Sequence, residues 1–286
     1  MRLAGTVLDA AGLGVHDHVS WPYVDRDDFC RHATTFLDEG LALGLRVVYA
    51  AHGPVEALKA DLAGLPGLET ALARGALQLS PLDELYAAGT AVDPERLLAT
   101  FAAATQEALA QGYAGLRIAA DATALLSGAE QVEAFAIWEH QADRYMTEHP
   151  LSAMCGFDRT QVPEQAVVTL ACLHPNVPAG VTLFRLYAAD GGAHLALGGE
   201  IDSCVAEDLT SSLGRTGLQP SGELVVDAER LDFVDHRGLI SLRDFAVRSG
   251  TTAVLRTSHP MPQRLIGILG LDSIRVESPA VEEVTR

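Results

Sequence analysis

An α/β fold in two successive domains is predicted by three observations. Short apolar, strand-like runs alternate with helical ones over the first part of the chain; a Pro- and Gly-containing break follows at 172–180; and beyond it a hairpin pattern leads into a second alternation of strands and helices. At 286 residues the chain is long enough for two domains, each burying its own core.

In chain order, the segment from His16 to Phe29 reads as a strand-to-helix junction. His16, His18, Trp21 and Tyr23 supply polar and aromatic groups suited to a small-ligand pocket at the C-terminal edge of a parallel sheet. Asp25, Asp27 and Asp28 fall at the start of the following helix, where carboxylates complement the helix dipole and repel phosphate. Leu45–Ala51 and Ala114–Ala120 read as strands, and Asp93–Gln111 and Glu130–Thr147 as helices, the alternation of a helix-covered parallel sheet. Pro94 suits a first helical turn with Asp93 as its N-cap. Within Cys172–Gly180, two prolines and a glycine are expected to interrupt any element, so the domains are drawn as 1–178 and 179–286.

Beyond the break, Val181–Tyr187 and Ala193–Leu197 read as a strand pair turning at Asp190-Gly191-Gly192. A helix near Cys204–Leu213, a strand at Leu224–Asp227, a helix from Arg237, a strand at Thr252–Arg256, a helix near Met261–Leu269 and a strand at Ile274–Glu277 complete the pattern. A short turn is expected after Asp227, before a second apolar segment ending at Val234-Asp235.

The formal charge of −18 and the single lysine, Lys59, argue against a nucleic-acid partner, since a phosphate backbone demands a basic patch. Cys30, Cys155, Cys172 and Cys204 are widely spaced with no CxxC pair, the pattern of reduced thiols in a cytoplasmic protein. No apolar run approaches the roughly 20 residues that span a bilayer, so no membrane association is expected. A homodimer is the default assembly. No Gly-rich GxxxxGK[ST] loop, GxSxG elbow, HExxH helix or pair of spaced catalytic carboxylates occurs; no catalytic residue and no cofactor are expected. His16 and His18 would share one face of a strand, but no third ligand is visible by spacing, so no metal site is assigned. Arg117 and Glu139 read as pocket polar groups or as an ion pair.

Two resemblances rest on particular motifs. Phe36–Tyr49 looks like the first helix and second strand of a RecA-like domain. Glu107–Arg117, Trp138-Glu139, Met154-Cys155-Gly156-Phe157-Asp158-Arg159 and Leu173-His174-Pro175 resemble the MEDS domain, a sensory module thought to recognise small molecules. That resemblance spans about residues 10 to 178, and implies a ligand site including His16 and Tyr23, with Glu139 nearby. Trp138 stands where the family pattern has Tyr, and Asp121-Ala122-Thr123-Ala124 departs from it too.

The second resemblance is to STAS domains, the anti-sigma-factor-antagonist fold. Gly199-Glu200-Ile201-Asp202, Leu224–Asp227, Phe233-Val234-Asp235-His236-Arg237-Gly238-Leu239 and Leu269-Gly270-Leu271-Asp272 carry it. The family places a phosphorylatable Ser after the second Asp; here His236 stands there. Ser211, Ser212 and Ser241 read as solvated helix hydroxyls. The combination implies a cytoplasmic signalling protein that is not an enzyme. A RecA-like domain would sense a small molecule, and a mixed-sheet module would dock an anti-sigma factor or similar regulator around Asp235, His236, Arg237 and Gly238, acting on transcription indirectly. The rival is a degenerate RecA-like enzyme with nucleotide or metal chemistry at His16 and His18.

Overall fold

In the computed structural model, which describes residues 2–86, 89–189 and 192–278, the chain divides between Thr182 and Leu183 into two compact units. Among the described residues the first unit is a seven-stranded parallel sheet flanked by helices. Its elements are β1 (Gly5–Val7), β2 (His18–Tyr23), α1 (Arg26–Ala42), β3 (Arg46–Ala51), α2 (Val55–Asp61), α3 (Leu68–Ala73), β4 (Leu77–Pro81), α4 (Leu82–Leu85), α5 (Pro94–Ala110), β5 (Leu116–Asp121), α6 (Ala129–Glu148), β6 (Leu151–Asp158), α7 (Glu164–Ala171) and β7 (Asn176–Pro178). The strand order is β1-β7-β2-β6-β5-β3-β4.

The expected strands and helices are present within a few residues. Asp93 caps α5 by accepting from the Arg96 amide, and Pro94 occupies its first turn. The break at 172–180 is a correction: Asn176–Pro178 forms β7, paired in parallel with β1. Prolines fit there because β7 meets β2 at one rung only, Val19 with Asn176, so the ladder asks little of the following residues. The same short rung admits Pro22 into β2.

The pleat of β2 splits its side chains between two layers. Val19, Trp21 and Tyr23 join the core under α1 with Phe29, Phe36, Val47 and Tyr49, while His18 and Ser20 are buried on the other side. The Arg117 side chain, wholly buried in the α1 layer, donates to Ser152 Oγ (3.0 Å) and to the carbonyls of Phe36 (3.0 Å), Leu13 (2.5 Å) and Gly14 (2.9 Å). No ion pair joins Arg117 to Glu139; Glu139 faces the opposite layer, beside His18.

The second unit is a mixed sheet ordered β12-β11-β10-β9-β8, from β8 (Phe184–Ala188), β9 (Leu195–Ile201), α8 (Ala206–Arg215), β10 (Leu224–Val234), α9 (His236–Arg248), β11 (Ala253–Arg256), α10 (Pro260–Leu269) and β12 (Ile274–Glu277). Only the β8–β9 pairing is antiparallel among the described strands. The expected turn residues Asp190 and Gly191 lie outside the described residues. The turn expected after Asp227 is replaced by an eleven-residue strand, β10, whose pairing with β9 slips between Asp227 and Arg230 and again between Leu231 and Phe233. Bulges absorb the extra residues, so the chain bends without leaving the sheet. Ser212 and Ser241 are buried, not solvated; the Ser241 hydroxyl donates to Ala206 O (3.3 Å).

Candidate functional site

On the sheet face away from α1, four elements deliver one polar cluster into an apolar layer. His18 opens β2, Glu139 sits mid-way along α6, Cys155 lies in β6, and His174 follows α7; all four side chains are fully or almost fully buried. His18 Nε2 lies 3.1 Å from Glu139 Oε2 and 3.5 Å from Cys155 Sγ. Cys155 Sγ is 3.6 Å from Glu139 Oε2, and His174 Nε2 is 3.5 Å from the same oxygen. The two imidazoles meet with ring centroids 4.0 Å apart.

Each ring is oriented from behind. His18 Nδ1 is 3.0 Å from Asp143 Oδ1, one turn further along α6 from Glu139, and the Arg2 guanidinium pairs with the same carboxylate. His174 Nδ1 is 2.9 Å from the Leu170 carbonyl. Both Nε2 atoms therefore face the cluster.

Burial opposes charge on His18, but its hydrogen bonds to Asp143 and Glu139 outweigh that and raise its pKa. Burial, with His18 alongside, lowers His174 to about 4. Burial and Glu139 hold the Cys155 thiol well above its usual range. Asp143 is held down despite its burial, chiefly by Arg2 and then by His18.

A second polar network occupies the C-terminal edge of the sheet, on the α1 side. Tyr23 Oη donates to Asp121 Oδ2 (2.8 Å), and Arg26 bridges Asp121 (2.7 Å) and Asp61 (2.7 Å), which also accepts from Tyr49 Oη (3.0 Å). Burial, then Asp121, pushes the Tyr23 phenol up, so it stays protonated and donates. Only Val24 and Asp25 separate β2 from α1. That leaves no room for a phosphate-cradling loop, and Asp25 already caps the helix by accepting from the Asp27 amide.

The residues expected to form one pocket are thus dispersed. His18 and Glu139 meet; Trp21 packs on His32 (centroids 4.1 Å apart) and Tyr23 stacks on Phe29 (4.9 Å) across the sheet from them. His16 lies outside β2, its Nδ1 at the carbonyls of Met146 (2.8 Å) and His149 (2.9 Å) at the end of α6. Spacing could not reveal Cys155 and His174 as partners of His18, since they sit far along the chain on other elements. The available signal was a His and a Cys inside runs otherwise apolar.

In the second unit, Asp235 caps α9 by accepting from the amides of Arg237 (2.8 Å) and Gly238 (3.0 Å). A Cβ on Gly238 would lie 2.6 Å from Ile201 Cγ2, so the glycine permits close packing of helix on strand. Exposed His236 borders a cleft of about 320 Å³ walled by Leu231, Phe233, Val234, Met261 and Leu265. Phe233 and Met261 are each about half exposed (51% and 52%), leaving apolar surface in solvent.

No curated protein matches the chain. The model of the MEDS family, the methanogen/methylotroph DcmR sensory domain, matches residues 17–175. That stretch runs from just before β2 to just before β7 and contains both polar networks of the first unit, so the chain belongs to the MEDS family.

Proposed function

We propose that the chain is a two-module signalling protein: the MEDS domain senses a small molecule, and a STAS-like second module passes its state to a partner protein, an anti-sigma factor or similar regulator, thereby acting on transcription indirectly. It works as a cytoplasmic binding protein and not as an enzyme. Ligand on the sensory domain shifts the population of docking-competent chains. Support for the sensory half comes from the family match. Support for the STAS-like half comes from the mixed sheet with its leading hairpin and from the Asp235-capped helix that begins with His236.

The observation that carries docking is the cleft beside His236, where Phe233 and Met261 offer apolar anchors next to exposed polar groups. Calorimetric titration of the intact chain with purified anti-sigma factors of the kinase-fold type tests it. Binding should weaken at least about tenfold in Phe233→Asp and Met261→Asp, the loss expected when an interface anchor is removed. Binding that both variants leave unchanged, or no binding to any such factor, would refute it. The small molecule is sought by mass spectrometry of compounds retained through purification.

The enzyme alternative, with nucleotide or metal chemistry at His16 and His18, is disfavoured because His16 faces away toward the end of α6 and the β2–α1 connection carries carboxylates.

A further inference from the structure

We propose that His18, Glu139, Cys155 and His174 are the four ligands of a buried, tightly held divalent transition-metal ion, zinc or a close relative, that ties β2, β6, α6 and the segment after α7 together. This goes beyond the sensory and docking roles and stands or falls independently of them.

The first support is geometric. One donor atom from each of the four residues falls within 4.8 Å of all the others. Four of the six donor separations are 3.1, 3.5, 3.6 and 3.5 Å, and the two that join His174 to His18 and to Cys155 stay within 4.8 Å. A tetrahedral ion with ligands at about 2.0–2.1 Å (N, O) and about 2.3 Å (S) has donor–donor edges of roughly 3.3–3.7 Å. The cluster therefore needs only small adjustments to accept an ion at its centre.

Ring orientation is the second support. Each histidine turns Nε2 inward because its Nδ1 is engaged from behind, His18 by Asp143 (3.0 Å) and His174 by the Leu170 carbonyl (2.9 Å). A carboxylate or a backbone carbonyl behind a ligating imidazole is the usual outer arrangement of metal sites; it fixes the tautomer and raises ligand basicity.

Third, the cluster holds buried polar atoms that protein groups do not satisfy. Glu139 Oε1 and His174 Nε2 are wholly buried and make no hydrogen bond among the described residues. Such atoms are costly unless something coordinates them. An ion at the centre would supply a partner for His174 Nε2 and offset the Glu139 charge.

Charge and ligand type narrow the occupant. A thiolate and a carboxylate together carry two negative charges, balanced by one divalent ion, while Arg2 offsets Asp143. On binding, the Cys155 S–H bond breaks and the sulfur bonds to the metal, His18 gives up the Nε2 proton it directs at Glu139 so that this nitrogen can bond to the ion, and both protons leave to solvent. Two imidazoles and a thiolate favour zinc or cobalt over magnesium or calcium, which prefer all-oxygen shells. Four protein ligands in a closed, buried site match a structural ion and not a catalytic one with an open position.

The test uses the full chain. Elemental analysis of the purified protein should find about one zinc or related ion per chain, as a closed four-ligand site requires. Metal-stripped protein titrated with Co²⁺ should develop the intense visible bands of tetrahedral cobalt and a thiolate-to-cobalt charge-transfer band. Cys155→Ser should lose the charge-transfer band, whereas Cys172→Ser and Cys30→Ser should keep it. Asp143→Asn retains all four ligands and should weaken affinity by about 10–100-fold, which keeps the test decisive should a ligand variant fail to fold. A wild-type chain that is folded by circular dichroism yet takes up neither Zn²⁺ nor Co²⁺ would overturn the assignment. So would a cobalt spectrum that Cys155→Ser leaves unchanged.

Discussion

The ring of Phe29, in α1, rests directly on the α-carbon of Gly156 in β6: a Cβ there would lie 2.3 Å from Phe29 Cε2 and 2.7 Å from Cζ. The helix can lie this close to the sheet only because the strand has no side chain at that point. Gly156→Ala should destabilise the first unit by about 1–3 kcal/mol, the usual range for overpacking a core. Phe29→Leu in the same chain should recover part of the loss. Urea unfolding of the three variants checks both; additive losses would show that the two residues are not coupled.

Arg117 is the second point of strain relief, and its partners are all on one layer. Its guanidinium lies 4.3 Å from the centre of the Phe36 ring, and Gly40 lacks a side chain where Arg117 Cδ passes. Burial lowers its pKa to about 10, opposed by Glu39 and Asp17, so it remains protonated at neutral pH. Arg117→Met should cost about 3–5 kcal/mol, because buried carbonyls of Leu13, Gly14 and Phe36 lose their donor. A loss below about 1 kcal/mol in chemical denaturation would mean that water replaces the guanidinium.

Thiol reactivity should separate the cysteines. Cys204 is exposed, while burial, then Asp61, pushes buried Cys30 up to about 11. Thiolate is the reactive form. At pH 8, iodoacetamide should therefore label Cys204 well before Cys30, and the Cys30 rate should keep rising as pH climbs toward 11. Peptide mapping reads this; equal labelling of Cys30 and Cys204 at pH 8 contradicts the arrangement.

His236 begins α9 and is exposed, with Asp235 as cap, so a hydroxyl placed there would be presented to a kinase. His236→Ser should accept phosphate from an anti-sigma-type serine kinase, whereas the wild-type chain should carry none across residues 233–241. Phosphate found there in the wild type by mass spectrometry would contradict this expectation.

ATP and GTP should not bind. Asp25, Asp27 and Asp28 crowd the start of α1, and two residues are too few for a phosphate loop. Isothermal titration with magnesium present decides it; micromolar affinity would reverse the conclusion.

Much of the fold was legible because it is written locally. Periodic runs, Asp93-Pro94 and the glycines at turns located most strands and helices to within a few residues. What escaped depends on partners distant in sequence. Strand β7 forms despite its proline because β1 supplies an edge, and β10 stays continuous because bulges take up its polar middle. The buried cluster was half visible. His18 was picked out with the junction residues and Glu139 as a polar group of the Trp138-Glu139 motif, but that they meet Cys155 and His174 follows from the order β2-β6 and from where α7 ends. The residues expected to share one pocket at the junction are divided for a simpler reason, since alternate residues of a strand point to opposite layers.

The pairing of β7 with β1 reaches past the family's own borders. The matched stretch, 17–175, stops one residue short of Asn176, whose side-chain amide donates to the carbonyls of Leu3 (3.0 Å) and His18 (3.2 Å). A fragment trimmed to the homology limits would shed both strands and the guanidinium that Arg2 brings to Asp143, baring the flank of β2 as a sticky edge. The family module and the sheet it belongs to are therefore different lengths of chain: whoever excises this domain by its family boundaries would cut away the strands and the guanidinium that close its edge.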